Sequence, residues 1–261
     1  MKLMVALDLP TPEENLDLVQ KLTVDESTLD VGFKIGLNTF IAGGSSFIEE
    51  LEVEATRHEG IGVPEICLDL KLYDIPNTMA TAAERICELK VDLMTIHASA
   101  GEQAMKTVMA ALKEKKGAPK VLAVTVLTSF THDHCQAVYG QSRSNTTKQL
   151  AEQAILAGVD GVVCSAADLD TIRSIQDTRK PRPSIIKFVP GIELKPRNDD
   201  QQRKATLREV IQRGADYIVV GRPIYEDSAP FSVVQRILSK IRTMEDSWKL
   251  FNETANWSDS T

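Results

Sequence analysis

Short β-rich apolar runs, each followed by a longer stretch with helical spacing, recur eight times along this 261-residue chain. That alternation predicts a parallel sheet covered by helices, because parallel strands need long crossover connections and a helix is the usual one. The candidate strands are Leu3–Asp8, Val31–Ile35, Glu65–Asp69, Leu93–His97, Val121–Val126, Gly161–Cys164, Ile185–Val189 and Tyr217–Val220. Amphipathic stretches lie between them, among them Glu13–Leu22, Met79–Leu89, Gln103–Lys116, Gln149–Ala157 and Ala205–Arg213. Eight strand-helix units in about 240 residues fit a (β/α)8 TIM barrel, whereas an open doubly wound sheet more often uses five or six strands. No Gly/Ser linker or shift of composition divides the chain, so a single barrel domain over residues 1–244 is expected. Residues 245–261 are polar, contain Trp248 and Trp257, and read as a loosely attached tail or a final helix.

Composition narrows the function classes. Acidic side chains number 37 against 30 basic ones, a formal charge of −7, which argues against a broad nucleic-acid surface but leaves room for a local basic pocket. Cys67, Cys87, Cys135 and Cys164 are far apart, so neither a disulfide framework nor a zinc cluster is suggested, and a reducing cytoplasm suits them. The chain enters directly into its first strand without the pattern of a signal peptide. Its apolar runs are a few residues long, against the roughly 20 that span a bilayer. A cytoplasmic protein with no membrane partner is the expectation.

Barrel active sites form at the C-terminal ends of the strands. Those ends carry Asp8, Lys34, Asp69 with Lys71, His97, Thr128 with Ser129, Pro190-Gly191 and Gly221-Arg222. Charge at the end of an apolar strand is costly unless it is paired or functional. Asp69 and Lys71 are two apart, so in extended backbone they point to the same face, toward the barrel mouth. Asp74 follows the strand, and Pro76 disfavours helix at Ile75 while suiting the first turn of the next helix, which places Asp74 on a projecting turn. His97 ends strand four and could be a base. His132 and His134, flanking Asp133, read as solvated loop residues, since two histidines without a third ligand are weak evidence of a metal site.

The ten residues Asp69-Leu70-Lys71-Leu72-Tyr73-Asp74-Ile75-Pro76-Asn77-Thr78 resemble the catalytic segment of the orotidine 5'-monophosphate decarboxylase family. D-x-K-x-x-D alone also occurs in related sugar-phosphate decarboxylases, and Ile75-Pro76-Asn77-Thr78 narrows the likeness to the orotidylate enzymes. Agreement continues through Ala6-Leu7-Asp8, Gly32-Phe33-Lys34-Ile35-Gly36, Leu127-Thr128-Ser129, Val189-Pro190-Gly191-Ile192 and Val220-Gly221-Arg222-Pro223-Ile224. The resemblance implies conversion of orotidine 5'-monophosphate to UMP and CO2 without cofactor or metal. It implies a charged array of Lys34, Asp69, Lys71 and Asp74, in which Lys71 stabilises and protonates the carbanion. Aspartates that flank Lys34 and Lys71 in this way should keep both lysines protonated. At His97 the resemblance implies a supporting hydrogen bonder instead of a base. It also implies a homodimer in which Asp74, Ile75 and Thr78 reach the neighbour's site. Asp8 and Lys34 would hold the ribose, Thr128 and Ser129 the pyrimidine, and Gly221 and Arg222 the phosphate, with a loop from Pro190 to about Arg203 closing through Gln201.

Two positions depart from the pattern. Glu193 stands where bacterial relatives usually have arginine, so that phosphate contact is not carried over, and Lys195, Arg197 or Arg203 are candidates to replace it. Tyr73 stands where histidine is common. The rival readings are an Mg²⁺-dependent phosphosugar lyase on the same barrel, and a catalytically silent nucleotide-binding barrel.

Overall fold

The computed structural model describes residues 1–25, 31–58, 62–194 and 205–258, with side chains through residue 247. Its first half runs β1 (Lys2–Leu7), α1 (Pro12–Leu22), β2 (Val31–Gly36), α2 (Leu37–Gly43), α3 (Ser46–Ala55), β3 (Ile66–Leu72), α4 (Pro76–Cys87), β4 (Leu93–His97) and α5 (Glu102–Leu112). The second half follows as β5 (Lys120–Val124), α6 (His132–Tyr139), α7 (Arg143–Ala157), β6 (Gly161–Val163), α8 (Leu169–Asp177) and β7 (Ile186–Val189). It is completed by β8 (Ile192–Glu193), β9 (Ala205–Thr206), α9 (Leu207–Gln212), β10 (Tyr217–Val220), α10 (Arg222–Tyr225) and α11 (Pro230–Ser258).

Eight of these strands close in the order β1-β10-β7-β6-β5-β4-β3-β2, every pair parallel. Leu3 of β1, for example, pairs with Val31 on one side and Ile218 on the other, which completes the ring. The barrel expected from the sequence is therefore present. Strand periodicity sorts the core into two parts. Met4, Ala6, Cys67, Leu93, Leu122, Phe188, Tyr217 and Val219 form one buried cluster, while residues such as Leu3, Val5, Leu7, Phe33 and Ile35 belong to a larger one that includes buried side chains of the helices. Small residues make the inner cluster possible: a Cβ at Gly32 would lie 2.6 Å from Met4 Sδ, and one at Gly161 2.6 Å from Leu122 Cδ2. Continuing the inner rows two residues upward reaches Asp8, Lys34, Asp69 and Thr95, so the same alternation that packs the core delivers the polar groups to the mouth.

The opposite end is fastened by aspartates. Asp92, Asp160 and Asp216 each precede a strand and accept a hydrogen bond from the neighbouring strand's backbone, at Ile66 N (2.8 Å), Val121 N (2.8 Å) and Lys187 N (2.7 Å). Glu65 accepts from Tyr217 Oη and Lys2 Nζ, both at 2.7 Å; burial and that carboxylate push the Tyr217 phenol well above its ordinary range. These contacts lie on the face where barrels invest in stability rather than catalysis.

Local chemistry corrects some expected boundaries. The stretch expected to be helical from Ala205 opens as β9, which pairs with β8; Thr206 then caps α9, its hydroxyl accepting from Glu209 N while Glu209 reaches back to Thr206 N. His132 and His134, expected in a loop, lie in the first turn of α6, where the Thr131 hydroxyl accepts from His134 N at 3.2 Å. Residue 244 falls inside α11, and Glu245 pairs with the Met1 ammonium group. Among the described residues, no helix is long and apolar enough to cross a membrane.

Candidate active site

Asp69 is the centre of the charged cluster. Its Oδ2 accepts from Lys71 Nζ at 2.8 Å and lies 3.5 Å from Lys34 Nζ, while Lys34 Nζ also donates to Asp8 Oδ1 at 3.3 Å. Asp8, Lys34, Asp69 and Lys71 thus alternate in sign along one connected path. Lys34 and Asp69 are buried, whereas the side chains of Asp8 and Lys71 keep 46% and 32% exposure and can meet a ligand. Burial alone would neutralise the two inner groups, but their partners prevail. It raises the Asp69 carboxyl, yet the Lys34 and Lys71 ammonium groups, with hydrogen bonds from Lys71 and Thr95, bring the net value below its usual range. For Lys34, burial acts downward and Asp69 and Asp8 upward, and the net direction is up. Gly36 is part of this arrangement, since a Cβ there would stand 2.9 Å from Asp8 Oδ1 and 3.3 Å from Lys34 Nζ.

Asp69 and Lys71 do meet, although not along the uniformly extended strand expected. The β3–β4 register steps from Leu68 opposite Met94 to Leu72 opposite Ile96, so β3 spends extra residues where the site is. Within that irregularity Lys71 has φ 52°, a left-handed conformation that a side-chain-bearing residue rarely adopts. Thr95, 1% exposed on β4, meets the distortion: its hydroxyl accepts from Lys71 N at 2.9 Å and donates to Asp69 Oδ1 at 2.8 Å. Sequence reasoning passed over Thr95. The available signal was a hydroxyl two residues before His97, on the inner row at the level of Asp69.

The charged path borders a cavity of about 140 Å³ whose lining includes Lys34, Asp69, Lys71, Thr128 and Pro190, with apolar walls from Val126, Phe188 and Val219. Thr128 and Pro190 line the same cavity as the charged path, and Ser129 is exposed beside Thr128. Gly191, after Pro190, has φ 79° and turns the chain into β8, where Glu193 pairs with Thr206. Gly221 lies so close to β1 that a Cβ would be 3.3 Å from Ala6 Cβ and from Tyr225, and Arg222 opens α10 directly after it. Gln201, Lys195, Arg197 and Arg203 lie outside the described residues.

Asp74, Ile75 and Thr78 are all exposed, Ile75 at 66%, and Asp74 accepts from Ile75 N at 2.6 Å at the entrance to α4. The turn does project, and within one chain Asp74 is not part of the path through Lys34, Asp69 and Lys71. His97 Nδ1 accepts from Ser99 N at 3.3 Å, and its ring packs against Tyr73 with centroids 5.7 Å apart. Burial and the Lys71 charge lower its pKa, which favours the neutral imidazole. The His134 ring lies edge-on to Phe130.

Fold and pocket together define a (β/α)8 barrel that holds a carboxylate between two ammonium groups beside a cavity at its mouth. Residues 1–237 match the Orotidine 5'-phosphate decarboxylase / HUMPS family, and the chain belongs to it. It is 44% identical over 245 residues to orotidine 5'-phosphate decarboxylase of Nautilia profundicola, an alignment covering 93% of this chain and 99% of that protein. Identity to the enzyme of the same name from Campylobacter concisus is 42% over 242 residues, covering 92% and 100% respectively. Among solved structures, orotidine 5'-phosphate decarboxylase from Lactobacillus acidophilus superposes with a TM-score of 0.73 at 28% identity, over 92% of this chain and 98% of that one. The Methanocaldococcus jannaschii enzyme, solved with the inhibitor BMP, gives 0.69 at 21% identity over the same shares and supports the fold alone.

Proposed function

We propose that this chain decarboxylates orotidine 5'-monophosphate to UMP and CO2, the last step of de novo UMP biosynthesis, and that it does so without cofactor. The observation that carries the proposal is Asp69 Oδ2 lying 2.8 Å from Lys71 Nζ and 3.5 Å from Lys34 Nζ beside the cavity. Relatives of 42–44% identity and nearly full length bear that activity in their names, which favours it over the phosphosugar lyase.

In the reaction, the bond from C6 of the pyrimidine to its carboxylate breaks, CO2 leaves, and the electron pair stays on C6. No adjacent carbonyl accepts that pair, so the site must stabilise it. The Lys71 ammonium group places fixed positive charge where negative charge develops and then transfers a proton to C6. Asp69 and Lys34 keep that ammonium group oriented, with Asp69 toward the departing carboxylate. Asp8 and Lys34 hold the ribose hydroxyls, and Thr128 with Ser129 the pyrimidine edge. Gly221 and Arg222 bind the phosphate, with Pro190 and Gln201 as further contacts to the substrate. Phosphate binding then supports alignment at the distant ring.

The working unit in this reading is a homodimer, with Asp74, Ile75 and Thr78 completing the partner's site. The exposure of this turn, with Tyr73 exposed directly before it, supports that assignment. Purified protein incubated with orotidine 5'-monophosphate and EDTA should yield equal amounts of UMP and CO2 at the rate seen without EDTA. Loss of activity in EDTA, restored by Mg²⁺, would contradict the cofactor-free reading, and absence of UMP in both conditions would contradict the reaction itself.

A further inference from the structure

We infer that Thr95 is a positioning residue for the decarboxylation, setting both the direction of the Lys71 side chain and the rotation of the Asp69 carboxylate through one hydroxyl. The inference rests on the proposed reaction and adds to it a residue outside the charged path. Three observations support it. The β3 ladder is interrupted between Leu68 and Leu72, so the Lys71 N–H turns to a side-chain acceptor, the Thr95 hydroxyl, at 2.9 Å. Lys71 sits at φ 52°, a strained left-handed conformation for a residue with a side chain, which persists only where neighbours hold it. The hydroxyl's own proton goes to Asp69 Oδ1 at 2.8 Å, leaving Oδ2 to face Lys71 and Lys34. With Thr95 only 1% exposed, water is poorly placed to substitute for either bond.

The consequence is geometric. Backbone and carboxylate on either side of the Lys71 ammonium group are fixed by the same atom, so its placement relative to the substrate depends on that atom. Removing the hydroxyl frees Lys71 to relax toward ordinary extended backbone and Asp69 to rotate. A displacement of about 1 Å in such a site costs on the order of 100-fold in rate. The Thr95 hydroxyl bonds Lys71 N and Asp69 Oδ1 rather than the groups assigned to ribose or phosphate, so substrate affinity should move far less than kcat. Loss of a donor to the ionised carboxylate should also raise the pKa of Asp69, which is faced by Lys34 of β2, itself paired with Asp8, by Lys71 on its own strand and by Cys67 two residues before it.

The test compares wild type with the near-isosteric Thr95→Val and with Thr95→Ser, which retains the hydroxyl. For Thr95→Val, kcat should fall about 100-fold with KM within about threefold. The acid limb of its kcat–pH profile should move to higher pH, and Thr95→Ser should restore both kcat and that limb. If Thr95→Val does not fold, as judged by thermal melting and UMP binding, Thr95→Ala serves in its place. A folded hydroxyl-free variant with wild-type kcat and acid limb overturns the inference, and so does one that changes KM alone. Failure of the wild-type protein to form UMP would instead contradict the proposed reaction, so the two failures are distinguishable.

Discussion

At the scale of single residues, the site depends on keeping charge inside a place that disfavours it. Asp69 is held below its ordinary value of 3.8, so its contribution to stability is present above that pH and is lost as pH falls through the lower folded-state value. Lys34 is held above 10.5, so its contribution is complete below that pH and is lost as pH rises through the higher folded-state value. Between those limits the array stays charged. Asp69→Asn leaves two ammonium groups without their shared carboxylate and should cost about 3 kcal/mol at neutral pH by denaturant unfolding. That deficit should shrink as pH falls from 3.8, where the unfolded carboxyl takes up a proton, through the lower value at which folded Asp69 does so too. A deficit unchanged across that range would contradict the pairing. Gly36→Ala adds a methyl 2.9 Å from Asp8 Oδ1; overpacking of about 1–3 kcal/mol directed at that contact should raise KM roughly tenfold or more. An unchanged KM would show that Asp8 does not need its present position.

Elements explain which features were readable beforehand. Eight strands and their inward rows were legible because period-2 alternation and core burial dictate the same pattern, and Asp8, Lys34 and Asp69 only extend it. The bend at Lys71 was not legible. Extended geometry is the default for a strand, and nothing in Asp69-Leu70-Lys71 marks a left-handed lysine that depends on a threonine 24 residues later. Thr206 hid for a similar reason, since a helical pattern from Ala205 does not reveal that its second residue caps the helix and joins β9. Strand starts carry their own signature in Asp92, Asp160 and Asp216. Asp160→Ala removes the acceptor for Val121 N and should lower unfolding free energy by about 1–3 kcal/mol while leaving kcat and KM unchanged. A change in kcat would mean that the two ends of the barrel are coupled.

At the scale of the whole molecule, the chain presents a charged path that ends at Lys71 and a projecting turn that carries Asp74. If that turn serves the partner, two inactive variants should restore one another. Lys71→Ala supplies an intact Asp74, and Asp74→Ala supplies an intact Lys71, so a mixed dimer contains one complete site. Co-refolding equal amounts should therefore recover activity that neither variant has alone, and sedimentation should show a dimer. No recovery in verified mixed dimers would confine Asp74 to its own chain. The most direct measurement for the account as a whole is turnover of orotidine 5'-monophosphate by Lys71→Ala beside wild type, with UMP affinity measured on both. Wild type should form UMP, and the variant should bind UMP measurably yet show no detectable turnover. Near-normal turnover by Lys71→Ala would contradict the assignment of Lys71 as the proton donor.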